Sequence, residues 1–97
     1  MLTSKQRAQL KSLANDMDAI LQVGKGGIND ALIKQVDDAL TARELIKMSA
    51  LETAPQSAKE TAAELAAATN AEVVMVIGRK MILYRKNPKN QKIFLKR

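Results

Sequence analysis

Apolar residues recur every three to four positions, then in short unbroken or alternating runs, and this exchange repeats between residues 3 and 85. One conformation cannot satisfy both periods, so the exchange dictates alternating helices and strands. Leu10, Leu13, Ala14 and Met17 share one face of a helix predicted from Thr3 to Met17. Thr3 with Gln6 three positions on forms a capping box, and Leu2 can staple the entry. The run "AILQV" then stops at Gly24 and reads as a buried strand. Asn29 or Asp30 caps a second helix reaching about Ala42, with Leu32, Val36, Ala39 and Leu40 inward. "ELIKMSAL" is the second strand, placing Ile46, Met48 and Ala50 on one face and Leu45, Lys47 and Ser49 on the other.

Pro55 breaks the chain before Ser57-Ala58-Lys59-Glu60, a second capping box, which opens an alanine-rich helix to about Thr69. Its inward stripe is Ala58, Ala62, Leu65 and Ala66. "EVVMVIG" is nearly continuous and β-branched, which predicts a central strand covered on both faces. Gly78-Arg79-Lys80 is a turn and "MILYR" the fourth strand. The predicted order αβαβαββ implies a compact α/β domain of two to three layers around a mixed four-stranded sheet. Strands separated by helices run parallel, and the last pair, joined by a short turn, runs antiparallel. At 97 residues the chain is expected to be a single domain, 1–97. Residues 88–97 lose periodicity and are expected to be a flexible basic tail or an added edge strand.

The charge is one-sided. Residues 79–97 carry eight basic side chains and no acid, whereas residues 1–78 carry eight basic and ten acidic ones. The C-terminal fifth therefore supplies all of the +6 net charge, which favours a polyanionic partner. Cysteine and histidine are both absent. Disulfides and thiolate metal sites are excluded, and the usual general base at neutral pH is missing. No Walker lysine or nucleophile-elbow motif occurs. No apolar run approaches the roughly 20 residues of a membrane span. The expectation is a cytoplasmic, monomeric, non-enzymatic protein without cofactor or metal.

Three of the four glycines fall in "QVGKGGIND", between the first strand and the second helix. Unpaired amides and the dipole at a helix N-terminus favour anions, glycine allows close approach, and Lys25 adds a charge. The dipole contributes only about 0.3–1 kcal/mol, so other cations must share the work. Arg43 and Lys47 flank the second strand's start, while Arg79, Lys80, Arg85 and Lys86 bracket the fourth. Lys5, Arg7 and Lys11 lie on the first helix. Tyr84 and Phe94 are the only aromatics, too few for a stacking platform, and Tyr84 reads as core. Backbone and shape recognition of a nucleic acid is therefore expected over base readout. Two other functions fit the same residues. One is a small enzyme on a phosphorylated ligand, with Lys25 as electrophile and Asp30 as base. The other is a scaffold whose basic tail docks an acidic protein.

"LTSKQR", "VGKGGI", "ALTARELIKM" and "VIGRKMILYR", in this order across residues 2–86, resemble the CRM-domain family and most closely its stand-alone bacterial YhbY-like members. The resemblance implies a fold similar to the C-terminal domain of translation initiation factor three. It also implies binding to RNA, with precursors of the large ribosomal subunit as partners. By position, the family's GxxG loop falls on Gly24, Lys25, Gly26 and Gly27, and its basic surface on Lys5, Arg7, Arg43 and Lys47. The chain departs from the family pattern at Asn15 and Ala19, where histidine and proline are common.

Overall fold

In a computed structural model, which describes residues 2–89 and 91–95, the chain folds as α1 (Ser4–Ala14), β1 (Leu21–Val23), α2 (Asp30–Arg43), β2 (Leu45–Ala50), α3 (Ala58–Thr69), β3 (Glu72–Ile77) and β4 (Lys80–Tyr84). Both capping boxes form. Thr3 and Ser57 accept from the Gln6 and Glu60 amides, at 3.1 Å each, and the Gln6 and Glu60 side chains return to the caps. Asn29, rather than Asp30, caps α2 by accepting from the Leu32 amide at 2.8 Å.

The strands lie in the order β1-β2-β4-β3, with β1 parallel to β2 and β4 antiparallel to both its neighbours. The reading of "EVVMVIG" as the central strand is thus corrected. Helices do lie against both of its faces, but β3 is an edge strand, and among its residues only Val74 is fully buried. The hairpin from β3 returns β4 into the middle of the sheet, so β2 and β4 occupy the centre and carry most of the sheet's buried side chains. A register shift at Val73/Met75 marks a bulge in β3, a common feature of sheet edges.

The two faces of the sheet are covered unequally. On one, α2 and α3 pack Leu32, Val36, Leu40, Ala62 and Leu65 against Val23, Ile46, Met48, Met81 and Leu83. Alanines on α3 let that helix approach closely. On the other face α1 stands alone, burying Leu10 and Ala14 against Leu45, Val74, Ile82 and Tyr84. The first helix is shorter than expected, ending at Ala14, and Leu13 is 46% exposed rather than inward. Met17 lies past the helix and is only partly buried against the same cluster. Tyr84 is core, 5% exposed.

Ile93 and Leu95 extend the cover of α1 by packing against the same cluster. Residues 91–95 are not a strand, which corrects the edge-strand alternative; Lys96 and Arg97 lie outside the described residues. A buried carboxylate secures this segment. Glu44 is 0% exposed, sits just past α2 at φ 64°, and accepts from the amides of Asn87 and Ile93 at 2.8 Å each and from that of Lys92. Burial raises its pKa, but the three amides and the nearby Lys86 charge outweigh it and hold the carboxyl below its ordinary value of 4.5.

A carboxyl depressed on folding stabilises the protein above its unfolded pKa, and the gain is lost as pH falls through the folded value. Urea unfolding at pH 7 and in mild acid should therefore show a smaller pH difference in Glu44→Gln than in the parent. Glu44→Ala should lower stability by about 1–3 kcal/mol at pH 7 and remove hydrogen-exchange protection at the Lys92 and Ile93 amides.

Candidate functional site

β1 ends where the glycine loop begins, and a single turn shapes that loop. The Gly27 amide donates to the Gly24 carbonyl at 3.0 Å, placing Lys25 and Gly26 exposed at the tip. Gly27 has φ 64°, and a Cβ there would meet Pro55 Cγ at 2.8 Å, so the fold itself demands glycine. Gly26 is different. It lies outside the left-handed region, and a Cβ would approach nothing nearer than the Asn29 amide nitrogen at 4.0 Å. Gly24 meets only ordinary contact with Leu51. Two of the three loop glycines are thus unexplained by packing or strain.

The amides are less free than the sequence suggests. The Gly27 amide is used in the turn and that of Leu32 by the Asn29 cap, while the Asp30 carboxylate already sits in the first turn of α2. A shallow groove of about 270 Å³ runs beside the loop between Gln22, Gly24, Gly26 and Asn29 and, on α2, Ala31 and Gln35. Lys25 is therefore the main charge the loop can offer.

The remaining predicted cations divide between the two ends of the sheet. Val23 pairs with Ala50 and Ser49 with Lys80, so the glycine loop and the β3–β4 turn occupy one end. The backbone joins them: Leu51 donates to Val23 and Ala50 to Arg79, both at 2.8 Å. Lys80 is exposed here. Arg79 meets Glu52 at 3.8 Å, but both side chains are mostly exposed and such a pair contributes about 0–1 kcal/mol, so Arg79 remains exchangeable. Lys47 lies one diagonal from Lys80 on the face that α1 leaves partly open. Arg43 and Lys86 are exposed at the opposite end, where Leu45 pairs with Tyr84. Lys5 is exposed and Lys11 partly so along α1.

Two predicted contact residues have structural partners instead. The Arg7 guanidinium donates to the Val73 and Val74 carbonyls at 2.5 and 2.9 Å, satisfying the bulge of β3. Arg85 donates to Asp37 Oδ1 at 2.5 Å, the Thr69 carbonyl at 2.8 Å and Thr41 Oγ1 at 2.7 Å, tying β4 to α2 and α3. Gln22 and Ser49 were not expected at the site, yet they share a row of the sheet with Lys80. Only strand alternation, which had set Ser49 beside Lys47, hinted at it. Among the described residues no group of three carboxylates, histidines or cysteines could hold a metal.

The family model described as CRS1 / YhbY (CRM) domain matches residues 2–85. The chain is 42% identical over 95 residues to the "Probable RNA-binding protein YqeI" of Bacillus subtilis, spanning 98% of this chain and 99% of the relative. It is 31% identical over 91 residues to the "Probable RNA-binding protein PA4753" of Pseudomonas aeruginosa, spanning 94% and 88%. The solution structure of the hypothetical protein SAV1595 from Staphylococcus aureus superposes with a TM-score of 0.82 at 48% identity, covering 99% of this chain and all of the other. The chain belongs to the CRS1/YhbY (CRM) domain family.

The two kinds of loop glycine are separable by thermal unfolding. Gly27→Ala should destabilise by about 1–2 kcal/mol from the left-handed backbone alone, with the Pro55 clash added. Gly26→Ala should leave stability unchanged or raise it by about 0.4–1 kcal/mol. Equal losses from both would mean that Gly26 is structural too.

Proposed function

We propose that the protein binds RNA, holding the sugar–phosphate backbone at the Lys25–Gly26 tip with Lys47, Arg79 and Lys80 as the neighbouring charges. One observation carries the reading: an exposed glycine that the fold does not need stands beside a lysine, at the end of the sheet that also carries Arg79 and Lys80. Glycine at an exposed, unstrained position lowers stability for no folding gain. Close approach of another backbone is what a missing Cβ permits. The curated relatives named as RNA-binding proteins support the partner class. The family resemblance supports the finer proposal that the RNA is a precursor of the large (50S) ribosomal subunit and that the protein assists its assembly in the cytoplasm. On this reading it acts as a monomer and binds without catalysing a reaction.

Arg7 and Arg85 take a different part. Their guanidiniums are committed to backbone carbonyls and to Asp37, so they stabilise the surface that other residues present. Arg43 and Lys86, at the opposite end of the sheet from the loop, and Lys5 and Lys11, along α1, contribute long-range attraction more than contact.

Each neutralised phosphate contributes roughly −0.7 to −0.9 to the slope of log affinity against log salt. Lys25→Ala should flatten the slope for a ribosomal RNA fragment by about one such increment, with unfolding unchanged. Arg85→Ala should instead lower stability and leave the slope nearly intact. An unaltered slope in Lys25→Ala would remove the loop from the contact surface.

A further inference from the structure

Beside the C-terminal end of α1 the uncovered half of the sheet holds a cavity of about 190 Å³. Ala14, Met75, Ile77 and Ile82 form its apolar lining, and Asn15, Lys47 and Lys80 complete it. No carboxylate lines it. Ile77 is 61% exposed, the most of any large aliphatic side chain among the described residues. An apolar floor beneath two ammonium groups is an unusual combination. The two lysines occupy diagonal positions on one face of the β2–β4 pair, where neighbouring side chains stand roughly 7–8 Å apart, a spacing that suits an anion between them.

We propose that this cavity receives one unpaired base of the bound RNA, with Lys47 and Lys80 on the phosphates that flank it. The inference rests on the RNA reading above and adds the form of RNA selected. Three observations favour this occupant. First, the floor suits the face of a planar base, and the volume admits one base. Second, the two lysines and the absence of acids suit the phosphates attached to that base. Third, the site is continuous with the glycine loop: Lys80 pairs with Ser49, Ser49 with Gln22, and Gln22 lines the groove beside the loop. A strand gripped at Lys25 can cross this row and turn a base down toward Ile77. In a duplex the bases are stacked and paired, so the cavity would stay empty. Asn15 places a carboxamide at the rim, able to donate to or accept from a base edge. Seating a base in this way excludes duplex without choosing sharply among the four letters.

The test compares a labelled single strand of roughly 12 nucleotides with the duplex of the same sequence, using full-length protein. Ile77→Ser should weaken single-strand binding by about fivefold to tenfold, with less than about a twofold effect on duplex. Lys25→Ala should weaken both alike. Photocrosslinking with 4-thiouridine should mark the peptide containing Met75 to Ile82. Because Ile77 is exposed, the serine variant should fold like the parent, and matching unfolding curves establish this. An unchanged strand-to-duplex ratio in Ile77→Ser, or crosslinks confined elsewhere, overturns the cavity while leaving the RNA reading intact. Loss of single-strand preference in Ile77→Ser with no effect of Lys25→Ala supports the cavity and sinks the loop. Lys80-dependent binding of an acidic peptide, without RNA binding by the parent, overturns both.

Discussion

A four-stranded sheet has two faces to keep dry, and this chain has three helices to do it. Two go to one face, where α2, α3 and the strands beneath them share thirteen buried residues in the larger core. The other face receives α1, a helix about 10 Å wide, over strands whose outer pair lie about 14 Å apart. A single helix cannot cover that area. Much of the structure follows from this shortage. The segment after β4 is drawn across one half of the face, where Ile93 and Leu95 continue the cluster begun by Leu10. The other half stays open, and there Gln22 of β1, Lys47 and Ser49 of β2 and Lys80 of β4 share the face.

Glu44 is how the chain holds its own strap. A carboxylate taken out of water is expensive unless its lone pairs are filled. Here backbone amides of the strap fill them, so the charge and the segment secure each other. Tyr84, deep in the same region, has its pKa raised first by burial and then by the negative charges of Glu44 and Glu72. The cations are sorted by chemistry in a similar way. The two that reach inward are arginines, Arg7 and Arg85, whose forked donors can satisfy several acceptors at once. Lysines remain at the surface, where a single mobile charge is sufficient.

Elements were easier to read in the sequence than their arrangement. Capping boxes at Thr3 and Ser57 are local, within three residues, and both form. The face shared by Ile46, Met48 and Ala50 follows from strand alternation, and all three are buried. "EVVMVIG" misled because apolar residues on both faces signal cover by helices, which β3 has, and say nothing about whether its edge is paired. The roles of Arg7, Arg85 and Glu44 were hidden for another reason. Their partners lie 66 residues away for Arg7 and Val73, 48 for Arg85 and Asp37, and 49 for Glu44 and Ile93. Only the strand order brings these residues together, and charge counting cannot tell a clamp from a contact. The glycine loop was legible as a turn, but which glycine serves the turn depends on Pro55.

The unequal cover of the sheet also bears on selectivity. A surface holding backbone with a handful of lysines gains affinity from counterion release, which any polyanion supplies. Lys25, Lys47, Arg79 and Lys80 alone would favour whatever presents the densest phosphate, and that is duplex. Selection for a loop or an open strand needs a feature that a duplex cannot satisfy, and this must be shaped and apolar because more charge only deepens the preference. The half-open face provides such a feature at no cost to the core. Its lysines stand beside uncovered aliphatic carbon only because α1 ends at Ala14 and the strap runs the other way. On this view the shortage of helices is what lets so small a fold combine a general grip with a requirement for an unpaired nucleotide.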